Sequence, residues 1–394
     1  MQSDAERQSS SGIQGKDLVE RLIDQDRFPE ARIYANELLA SSAADPDIYA
    51  LLAYIEVNSG HFSVARRYML EALRLAPESE TAKENLAYLD SLEIQTTDHD
   101  YMQRWFVSRF RHMDYPRVIH LETVGRCNAK CSFCPHSRLA RKFDAMSDGL
   151  FQKIVREVSH FPADRFVGFY MHAVNEPFMD RKIFERMSLI NEAVPLAQIA
   201  ITTNMNVMPP RFFDRIREIK QLSSWNVSFN AANRLEYESS MGIDFARTVA
   251  NIGLLLEENR RSRFVTGPIT LSRVGMDVES NQRFVAECQA LFPDFHCGKD
   301  FEPSFLGKAN WLGDIEDASP SFYHSWPCQQ WTNLTIHCNG IVPHCCVDAK
   351  ARFPFGDVTE RSILEIYNSP HWRNLRLNVS GREAVYPCNT CNLR

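Results

Sequence analysis

The sequence lacks the features of a membrane protein and of an exported protein. It has no apolar run near the ~20 residues that a membrane-spanning helix needs. Residues 1–15 are polar and have no apolar centre of the kind that a secretory signal carries. We therefore expect a cytoplasmic protein whose residues 1–15 form a disordered tail. An excess of positive charge is also missing, since the net charge is −6, and this argues against nucleic acid as a partner.

Cysteine, in contrast, is abundant, with 11 residues in a chain of 394. Without a secretory signal a disulfide framework is improbable, and this count favours metal or redox use. The cysteines form two groups, one in residues 127–134 and one from Cys328 onward, with Cys288 and Cys297 between them. Each group predicts a separate metal centre.

The first group has the spacing C-x3-C-x2-C in a short loop after an apolar run. Cys127, Cys131 and Cys134 can take three corners of a four-iron cluster and leave one iron open for an external ligand. A zinc site is the alternative, because zinc prefers four nitrogen or sulfur ligands and His136 lies close enough in sequence to supply the fourth.

This loop, with the aromatic Phe133 directly before the last cysteine, resembles the signature of the radical S-adenosylmethionine (radical SAM) enzymes. The resemblance implies that the open iron holds the amino and carboxylate groups of SAM. It also implies that one electron from the cluster, delivered by an external donor such as flavodoxin or ferredoxin, cleaves SAM to methionine and a 5'-deoxyadenosyl radical.

Strand-like and helical runs alternate six times after Pro116. Such alternation predicts an α/β core of parallel strands with outer helices, and the radical SAM resemblance implies a partial (β/α)6 barrel. The predicted strands are Val118–Glu122, Phe166–Met171, Gln198–Thr202, Trp225–Phe229, Pro268–Arg273 and Asp294–Cys297. Functional side chains should gather at the carboxyl ends of these strands.

The resemblance places a SAM pocket at these strand ends. Asn175 and Glu176, before Pro177, stand where the family has a Gly-Gly-Glu-Pro segment that receives the methionine ammonium, although Val174 and Asn175 replace the glycines. Three further candidates at strand ends for hydrogen bonds to SAM are Asn204, Ser228 for the ribose, and Arg273 for the carboxylate.

The second cysteine group predicts a second cluster. Asn339-Gly340 is a hairpin signal that would bring Cys328 and Cys345 together, and Cys388 and Cys391 return as a C-x2-C pair. The layout resembles the Twitch module, the shortened form of the SPASM extension. It implies one auxiliary 4Fe–4S cluster, with Cys338 and Cys346 as alternatives to Cys345; a structural zinc ribbon is the competing interpretation.

The N-terminal helices resemble a tetratricopeptide repeat. Large, small and turn residues fall at repeat positions, namely Tyr49, Leu52, Ala53, Gly60, Ala65, Met69, Ala72 and Pro77, whereas Glu56 replaces an aromatic. A generic helical bundle is the alternative. The predicted domains are a tail (1–15), a repeat domain (16–95), a connector (96–116), a radical SAM core (117–300), a linker (301–326) and a Twitch module (327–394).

These resemblances imply an enzyme that removes hydrogen from an unactivated C–H bond, with a carbohydrate or cyclitol as the first substrate class. The outcome is epimerisation or dehydrogenation. A peptide held by the repeat domain is the second candidate, and a zinc-stabilised adaptor without catalysis is a candidate of another class. The expected role of the repeats is association with a protein partner, association of the chain with itself, or support of the next domain.

Cys297 is the candidate hydrogen-atom donor for epimerisation. It closes the sixth predicted strand, so that its thiol would face the reaction chamber. Packing as a small buried residue is the alternative for this cysteine.

Overall fold

The structure is a computed structural model. It describes residues 15–392 except residues 26, 43, 59–61, 92–108, 110, 266, 276, 317–326, 379–380 and 383. Residues 1–14 of the predicted tail, most of the predicted connector and Gly60 therefore lie outside the described residues. The chain divides into two compact units, the first made of Met1–Arg111, Ser325–Pro327 and Pro370–Ala384, and the second of His112–His324, Cys328–Ser369 and Val385–Arg394.

The first unit is helical. Its helices are α1 (residues 15–24), α2 (Phe28–Ser41), α3 (Pro46–Asn58), α4 (Phe62–Leu75) and α5 (Glu80–Ser91), joined by the later helix Pro370–Leu377, which packs against α2. The predicted repeat positions of α3 and α4 are buried, among them Tyr49, Leu52, Ala65 and Met69. Helical spacing of these residues places them on shared faces.

Glu56, the residue that departs from the repeat pattern, is also buried and pairs with Arg32 at 2.7 Å between Oε1 and Nε. An ion pair thus takes the position of an aromatic side chain. The helical character of the region is confirmed, while its assignment to the tetratricopeptide family stays a prediction.

The second unit is built on a parallel sheet of seven strands in the order β6-β5-β4-β3-β2-β1-β7. The strands are β1 (Val118–Leu121), β2 (Gly168–Tyr170), β3 (Gln198–Thr203), β4 (Leu222–Ser228), β5 (Ile269–Val274), β6 (Phe301–Leu306) and β7 (Leu334–Ile336). The first six follow one another in chain order, which confirms the predicted α/β radical SAM architecture. Since right-handed crossovers between sequential parallel strands all lie on one face, this order is that of a barrel wall.

Six helices connect or follow these strands: α6 (Asp148–Val158), α7 (Ile183–Ala193), α8 (Phe212–Ile216), α9 (Arg234–Met241), α10 (Phe245–Ser262) and α11 (Val278–Leu291). Aromatic contacts show which strand face they cover. Trp225 of β4 packs against Phe212 of α8, and Phe301 of β6 contacts Phe292 directly after α11. We call this the outer face of the sheet and the opposite one the inner face.

The sixth strand differs from the prediction. Asp294–Cys297 does not form it; β6 is Phe301–Leu306, within the predicted linker. Pro303 in the middle of β6 cannot donate to a ladder, which masks the strand in the sequence. The structure tolerates Pro303 because β6 is the edge strand of the sheet.

The remainder of the second unit is small and carries little regular structure. A two-stranded antiparallel pair joins β8 (Ile341–Val342) to β9 (Gly356–Asp357), and α12 (Ile363–Tyr367) follows. The predicted turn at Asn339-Gly340 is present: Gly340 has φ +92°, and the backbone N–H of His337 donates to the Ile341 carbonyl at 2.9 Å. Glycine adopts this left-handed conformation without a Cβ clash.

None of the helices in the described ranges combines the length and the apolar character needed to cross a bilayer.

Candidate functional site

The first cysteine loop begins where β1 ends, and backbone hydrogen bonds hold it on both sides. The N–H groups of Lys130 and Ser132 donate to the carbonyls of Met241 and Ser240 at 2.8 and 3.0 Å. On the other side the Gly125 N–H donates to the Asp144 carbonyl at 2.9 Å. A Cβ on Gly125 would lie 2.1 Å from the Arg141 carbonyl oxygen, so only glycine fits there. The loop is therefore fixed by main-chain contacts before any metal binds.

The three thiols of the loop influence one another. Burial, followed by the nearby Glu176, raises the pKa of Cys127 to about 12. Burial also raises the pKa values of Cys131 and Cys134, and the charges of Cys134 and Cys127 add to the effect on Cys131. Buried neighbouring thiols ionise only when positive charge stabilises the thiolates. Iron of a cluster supplies that charge, and thiolate is its usual protein ligand, so these residues fit a 4Fe–4S cluster.

His136, the alternative fourth ligand of a zinc site, is engaged elsewhere. Its Nε2 lies 2.7 Å from the Gly125 carbonyl oxygen, and because a carbonyl only accepts, Nε2 carries the proton. The contact removes Nε2 as a ligand and leaves Nδ1 as the ring nitrogen that could bind zinc, so the zinc alternative stays open on this observation.

Glu176 joins the loop after β2 to the end of β3. Its carboxylate accepts from the Thr203 hydroxyl and the Asn204 N–H, both at 2.7 Å, and from the Phe178 N–H at 3.1 Å. Its own N–H donates to the Arg126 carbonyl at 2.9 Å, next to Cys127. Burial raises the pKa of Glu176 to about 7, although these hydrogen bonds lower it. The predicted role of Glu176 as an ammonium acceptor stays a prediction; its scaffold contacts are observed.

Two asparagines predicted for SAM lie beside Glu176 and the cysteine loop. Asn204 donates from Nδ2 to Asn128 Oδ1 at 2.8 Å and lies 3.9 Å from Cys127 Sγ. Asn175 accepts from the Ala173 N–H at 2.9 Å, while its Nδ2 is buried and has no hydrogen-bond partner in the part of the chain that the structure describes. An unpartnered buried N–H donor suits an acceptor oxygen rather than an ammonium, so the predicted ammonium role of Asn175 stays a prediction.

Ser228 and Phe133 occupy the expected region. Ser228 ends β4 and accepts from Asn230 Nδ2 at 2.9 Å. The Phe133 carbonyl accepts from the indole N–H of Trp311 at 3.0 Å. Both residues lie at the same carboxyl edge of the sheet as the cysteine loop. Their assignment to SAM binding stays a prediction.

Arg273 lies on the wrong face of the sheet for the role predicted for it. In β5 it shares the outer face with Ile269 and Leu271, and its Nη1 donates to Asn281 of α11 at 2.8 Å. It also approaches Glu236 of α9 at 3.6 Å. Alternate residues of a strand point to opposite faces of the sheet, so the position of Arg273 at the strand end did not determine the face on which its side chain lies. We withdraw Arg273 as the partner of the SAM carboxylate.

Cys297 lies at the opposite edge of the sheet from the cysteine loop. It precedes β6, whose first residue, Phe301, pairs with Ile269, the first residue of β5. Its side chain is exposed. In parallel α/β barrels, residues at the amino edge of the sheet contribute to stability, whereas catalytic residues lie at the carboxyl edge. The argument for Cys297 as hydrogen donor therefore fails, because the strand that carried it is not where the sequence placed it.

The C-terminal cysteines gather as predicted for an auxiliary centre. Burial raises the pKa of the Cys345 thiol well above its ordinary value. The charges of four neighbouring cysteines raise it further, namely Cys346, Cys391, Cys328 and Cys388. The same condition applies as for the first loop: metal must supply positive charge to this buried group of thiolates. Cys328, Cys345, Cys388 and Cys391 stay the predicted ligands of one cluster.

The two alternative ligands differ in position. Cys346 belongs to the same group, because Cys328 and Cys391 raise its pKa to about 12 after burial. Cys338 has Glu122 as its neighbour instead: burial and then Glu122 raise its pKa to about 12. The surroundings of Cys338 therefore argue against it as a ligand, whereas Cys346 remains an alternative to Cys345.

Two ring N–H groups that the sequence did not reveal approach the auxiliary centre. His344 Nε2 lies 3.1 Å from Cys388 Sγ, and Trp331 Nε1 donates to the same sulfur at 3.5 Å. The His344 ring stacks on Phe355 at 5.1 Å, which holds its orientation. Hydrogen bonds to cluster sulfurs set reduction potential. The proximity of His344 to Cys345 in sequence was a signal that such a contact was available.

A buried ion pair, also missed from the sequence, links β1 to the C-terminal part of the second unit. Arg141 donates from Nε and Nη2 to the two Glu122 oxygens at 2.6 and 2.9 Å. Glu122 also accepts from the N–H of Cys338 at 3.4 Å, and Arg141 donates to the Ala349 carbonyl. Burial opposes ionisation of Glu122, but Arg141 holds its pKa below the ordinary value. Nothing short-range in the sequence pairs these residues.

The polar inner face of the sheet is the third feature that the sequence did not reveal. Its residues alternate with the apolar outer-face residues along each strand. Strand register places on the inner face the side chains of His120, Tyr170, Thr202, Asn226, Ser228, Thr270, Ser272 and Thr335. His172, just after β2, joins them through its ring contacts with His120 and Tyr170. His120 was visible inside a buried apolar run, and that contrast was the available signal.

Two family models match this chain. Residues 121–287 match the radical SAM superfamily, and residues 328–392 match SPASM, described as an iron-sulfur cluster-binding domain. The chain therefore contains a radical SAM domain followed by a SPASM domain, and it is an enzyme whose cofactors are SAM and 4Fe–4S clusters. The shorter Twitch form stays a prediction. No curated protein matches the chain.

Two solved structures are similar to this chain, and the one with a TM-score above 0.5 supports the fold. SuiB of Streptococcus suis bound to the precursor peptide SuiA is 14% identical, with a TM-score of 0.51, over 88% of this chain and 85% of that one. BtrN in complex with AdoMet and 2-DOIA is 16% identical, with a TM-score of 0.48, over 70% of this chain and 92% of that one. These similarities describe architecture and leave the substrate to be argued from the site.

Proposed function

We propose that this radical SAM enzyme removes hydrogen from an unactivated C–H bond of a polyhydroxylated small molecule, a carbohydrate or cyclitol, bound against the inner face of the sheet. The observation that carries the proposal is the composition of that face. When bound, SAM and the first cluster supply a carbon-centred radical, and the auxiliary cluster supplies an electron acceptor. The protein supplies binding, orientation and protection from water.

The inner face has an unusual composition for a barrel wall. Barrel interiors are normally packed with Val, Ile and Leu. Here the middle strands present short hydroxyl and amide groups instead: Asn226 pairs with Thr270 in register, and Ser228 pairs with Ser272. The outer face of the same strands carries Trp225, Val227 and Leu271. The concentration of short polar groups on the inner face indicates a binding surface rather than a packed core.

Several of these groups lack partners within the described protein. Asn226 Oδ1 is buried without a hydrogen bond, and its Nδ2 reaches Thr202 Oγ1 only at 3.5 Å. Most buried polar atoms in proteins are satisfied, so each exception calls for a ligand or water. Hydroxyl groups donate and accept, as these amides and hydroxyls require. A polyol is the substrate class that satisfies most of them at once.

The outcome that we propose is dehydrogenation. A solvent-exchangeable thiol at the substrate would favour epimerisation, but no inner-face position of the described strands is a cysteine, and Cys297 lies at the opposite edge. A second cluster is an electron acceptor of the class that oxidation requires. Epimerisation with Cys338 or Cys346 as donor is the competing outcome.

The test uses anaerobically reconstituted full-length protein, dithionite and SAM with a panel of sugars, cyclitols and short peptides. We expect one or more polyols to stimulate 5'-deoxyadenosine formation and to give a product lighter by two hydrogens, without deuterium from heavy water. The variant lacking Cys127, Cys131 and Cys134 is the matched control and should form none. Stimulation by peptides alone, or a product of unchanged mass carrying solvent deuterium, contradicts the proposal.

We propose further that the electron donor is a flavodoxin or ferredoxin and that the enzyme works in the reducing cytoplasm, where thiolate-held clusters persist. The helical first unit carries no described cysteine, so we assign it to association, with itself or with a partner, rather than to chemistry.

A further inference from the structure

Two histidines face each other: His120 lies on the inner face of β1, and His172 lies in the segment that follows β2. The ring centroids of His120 and His172 lie 5.7 Å apart with planes at 83°. Tyr170 packs against both rings, at 4.9 Å from His120 and 5.9 Å from His172. Rings fixed by packing in this way are pre-organised for a ligand. Neither histidine belongs to the cysteine loops or to the predicted SAM contacts.

Three of the four ring nitrogens of this pair have no hydrogen-bond partner among the described residues. Both His120 nitrogens and His172 Nδ1 are buried without a hydrogen bond, and His120 is 7% exposed. His172 Nε2 has only a long contact of 3.4 Å to Thr202 Oγ1. Buried donors and acceptors that stay unsatisfied destabilise the folded protein. A molecule that binds against the inner face removes this cost, so the pair points to a ligand.

The charge of the pair restricts the ligand. Burial lowers the pKa of His120 to about 3, helped by His172 and Arg117, and burial lowers that of His172 to about 4. Both rings are therefore neutral near pH 7. Register places the uncharged Tyr170 and Thr335 beside His120. Arg117, whose charge reaches His120, precedes β1 at the amino edge of the sheet. No inner-face position of the described strands is Lys or Arg, and Glu302, paired with Thr270 at the far side, is acidic.

We propose that His120 and His172 form a hydroxyl-recognition site that selects an uncharged polyol ring and rejects its phosphate ester. A neutral imidazole offers one donor and one acceptor, which match a hydroxyl group. Phosphate binding instead relies on Arg, Lys or a helix N-terminus. The inference deepens the proposed function and rests on it for the location of the substrate.

The experiment measures binding by calorimetry to cluster-loaded, SAM-bound full-length protein. The probes are myo-inositol, scyllo-inositol and glucose, together with inositol 1-phosphate and glucose 6-phosphate. At least one neutral polyol should bind the parent protein about 10-fold more tightly than its phosphate ester does. The variants His172→Gln and His120→Asn should bind the same polyol about 10-fold more weakly than the parent, as expected for one lost hydrogen bond to a buried group. His160→Gln, an exposed histidine at the end of α6, is the matched control and should bind as the parent does.

Each outcome decides the inference. Equal or tighter binding of the phosphate esters, no binding of any neutral polyol, or unchanged binding by His172→Gln overturns it. Since His172 is only half-buried, this variant tests the site even if His120→Asn fails to fold, and iron content with circular dichroism verifies its fold. The proposed function fails separately, when peptides alone stimulate 5'-deoxyadenosine formation.

Discussion

The imidazole of His344 lies 3.1 Å from the sulfur of Cys388, across a separation of 44 residues. Once that sulfur is a metal-bound thiolate it only accepts, so Nε2 donates the proton. A donated hydrogen bond stabilises the reduced, more negative cluster. Replacement His344→Phe should therefore make the reduction potential of the auxiliary cluster more negative, on the order of 50 mV for a bond of ~1 kcal/mol.

Redox titration followed by electron paramagnetic resonance measures this shift. Trp331→Phe removes the second donor to the same sulfur and should shift the potential in the same direction. The first cluster is the internal reference, and its potential should stay constant. A positive shift, or no shift in either variant, contradicts the assigned polarity of these contacts.

The two cysteine groups predict two separate 4Fe–4S clusters. Reconstituted protein should hold about eight irons per chain, and the joint change of Cys127, Cys131 and Cys134 to Ala should remove about half. Cys297→Ala is the matched control, since the exposed Cys297 should leave iron content unchanged. Iron and acid-labile sulfide assays decide the matter, and stoichiometric zinc without sulfide would disprove it.

The Glu122–Arg141 pair predicts a large asymmetry between single and double variants. Arg141→Met leaves a buried carboxylate without its partner, which costs about 3–5 kcal/mol. The double variant Glu122→Gln, Arg141→Met removes both charges and should regain part of that loss. Thermal unfolding of cluster-loaded protein, compared with the exposed pair variant Lys182→Met, measures the difference. Additive losses in the double variant would show that the two side chains do not depend on each other.

The neutral histidine pair predicts acid sensitivity. In the unfolded chain each imidazole titrates near its ordinary pKa of 6.5, while the folded values are about 3 and 4. Below 6.5 the unfolded chain binds more protons, so stability is complete above that pH and falls as the pH drops toward 4. Urea unfolding at about pH 7.5 and about pH 5.5 should show a smaller acid loss for His172→Gln than for the parent. An equal acid-induced loss of stability in the parent and in His172→Gln would mean that His172 does not cause the loss. The variant His160→Gln serves as the control.

The sequence predicted those parts of the site that depend on short spacing. Cys127, Cys131 and Cys134 lie within one loop, so their proximity follows from chain length alone. The positions of the first five strands along the chain also followed from hydrophobic patterning. The return of Cys388 toward Cys345 was predictable only through the resemblance to a family, because 42 intervening residues leave many possible paths.

Features that depend on strand parity or on distant pairing were not predicted. Arg273 was placed correctly in β5 but on the wrong face, which the neighbouring Leu271 could have indicated. Pro303 hid β6 and shifted the predicted strand to Cys297. The inner-face pair His120 and His172 needed the register of β1 and β2, which no local pattern provides.

One contact within the first unit bears on any truncation of the N-terminal helices. The helix Pro370–Leu377 lies in the first unit with α2, although the sequence assigned it to the C-terminal module. Removal of residues 16–94 would therefore uncover its buried residues Trp372 and Leu375.

The pairing of β7 with β1 has a consequence for synthesis on the ribosome. Ile119 and Leu334 become neighbours only after more than half of the chain has been made in between. Until then the strand that leads into the first cysteine loop has one free edge, and Glu122 lacks its contact with Cys338. Such long-range pairing forms slowly. Iron insertion into the first loop should therefore follow chain release, and nascent chains halted before residue 334 should bind iron poorly.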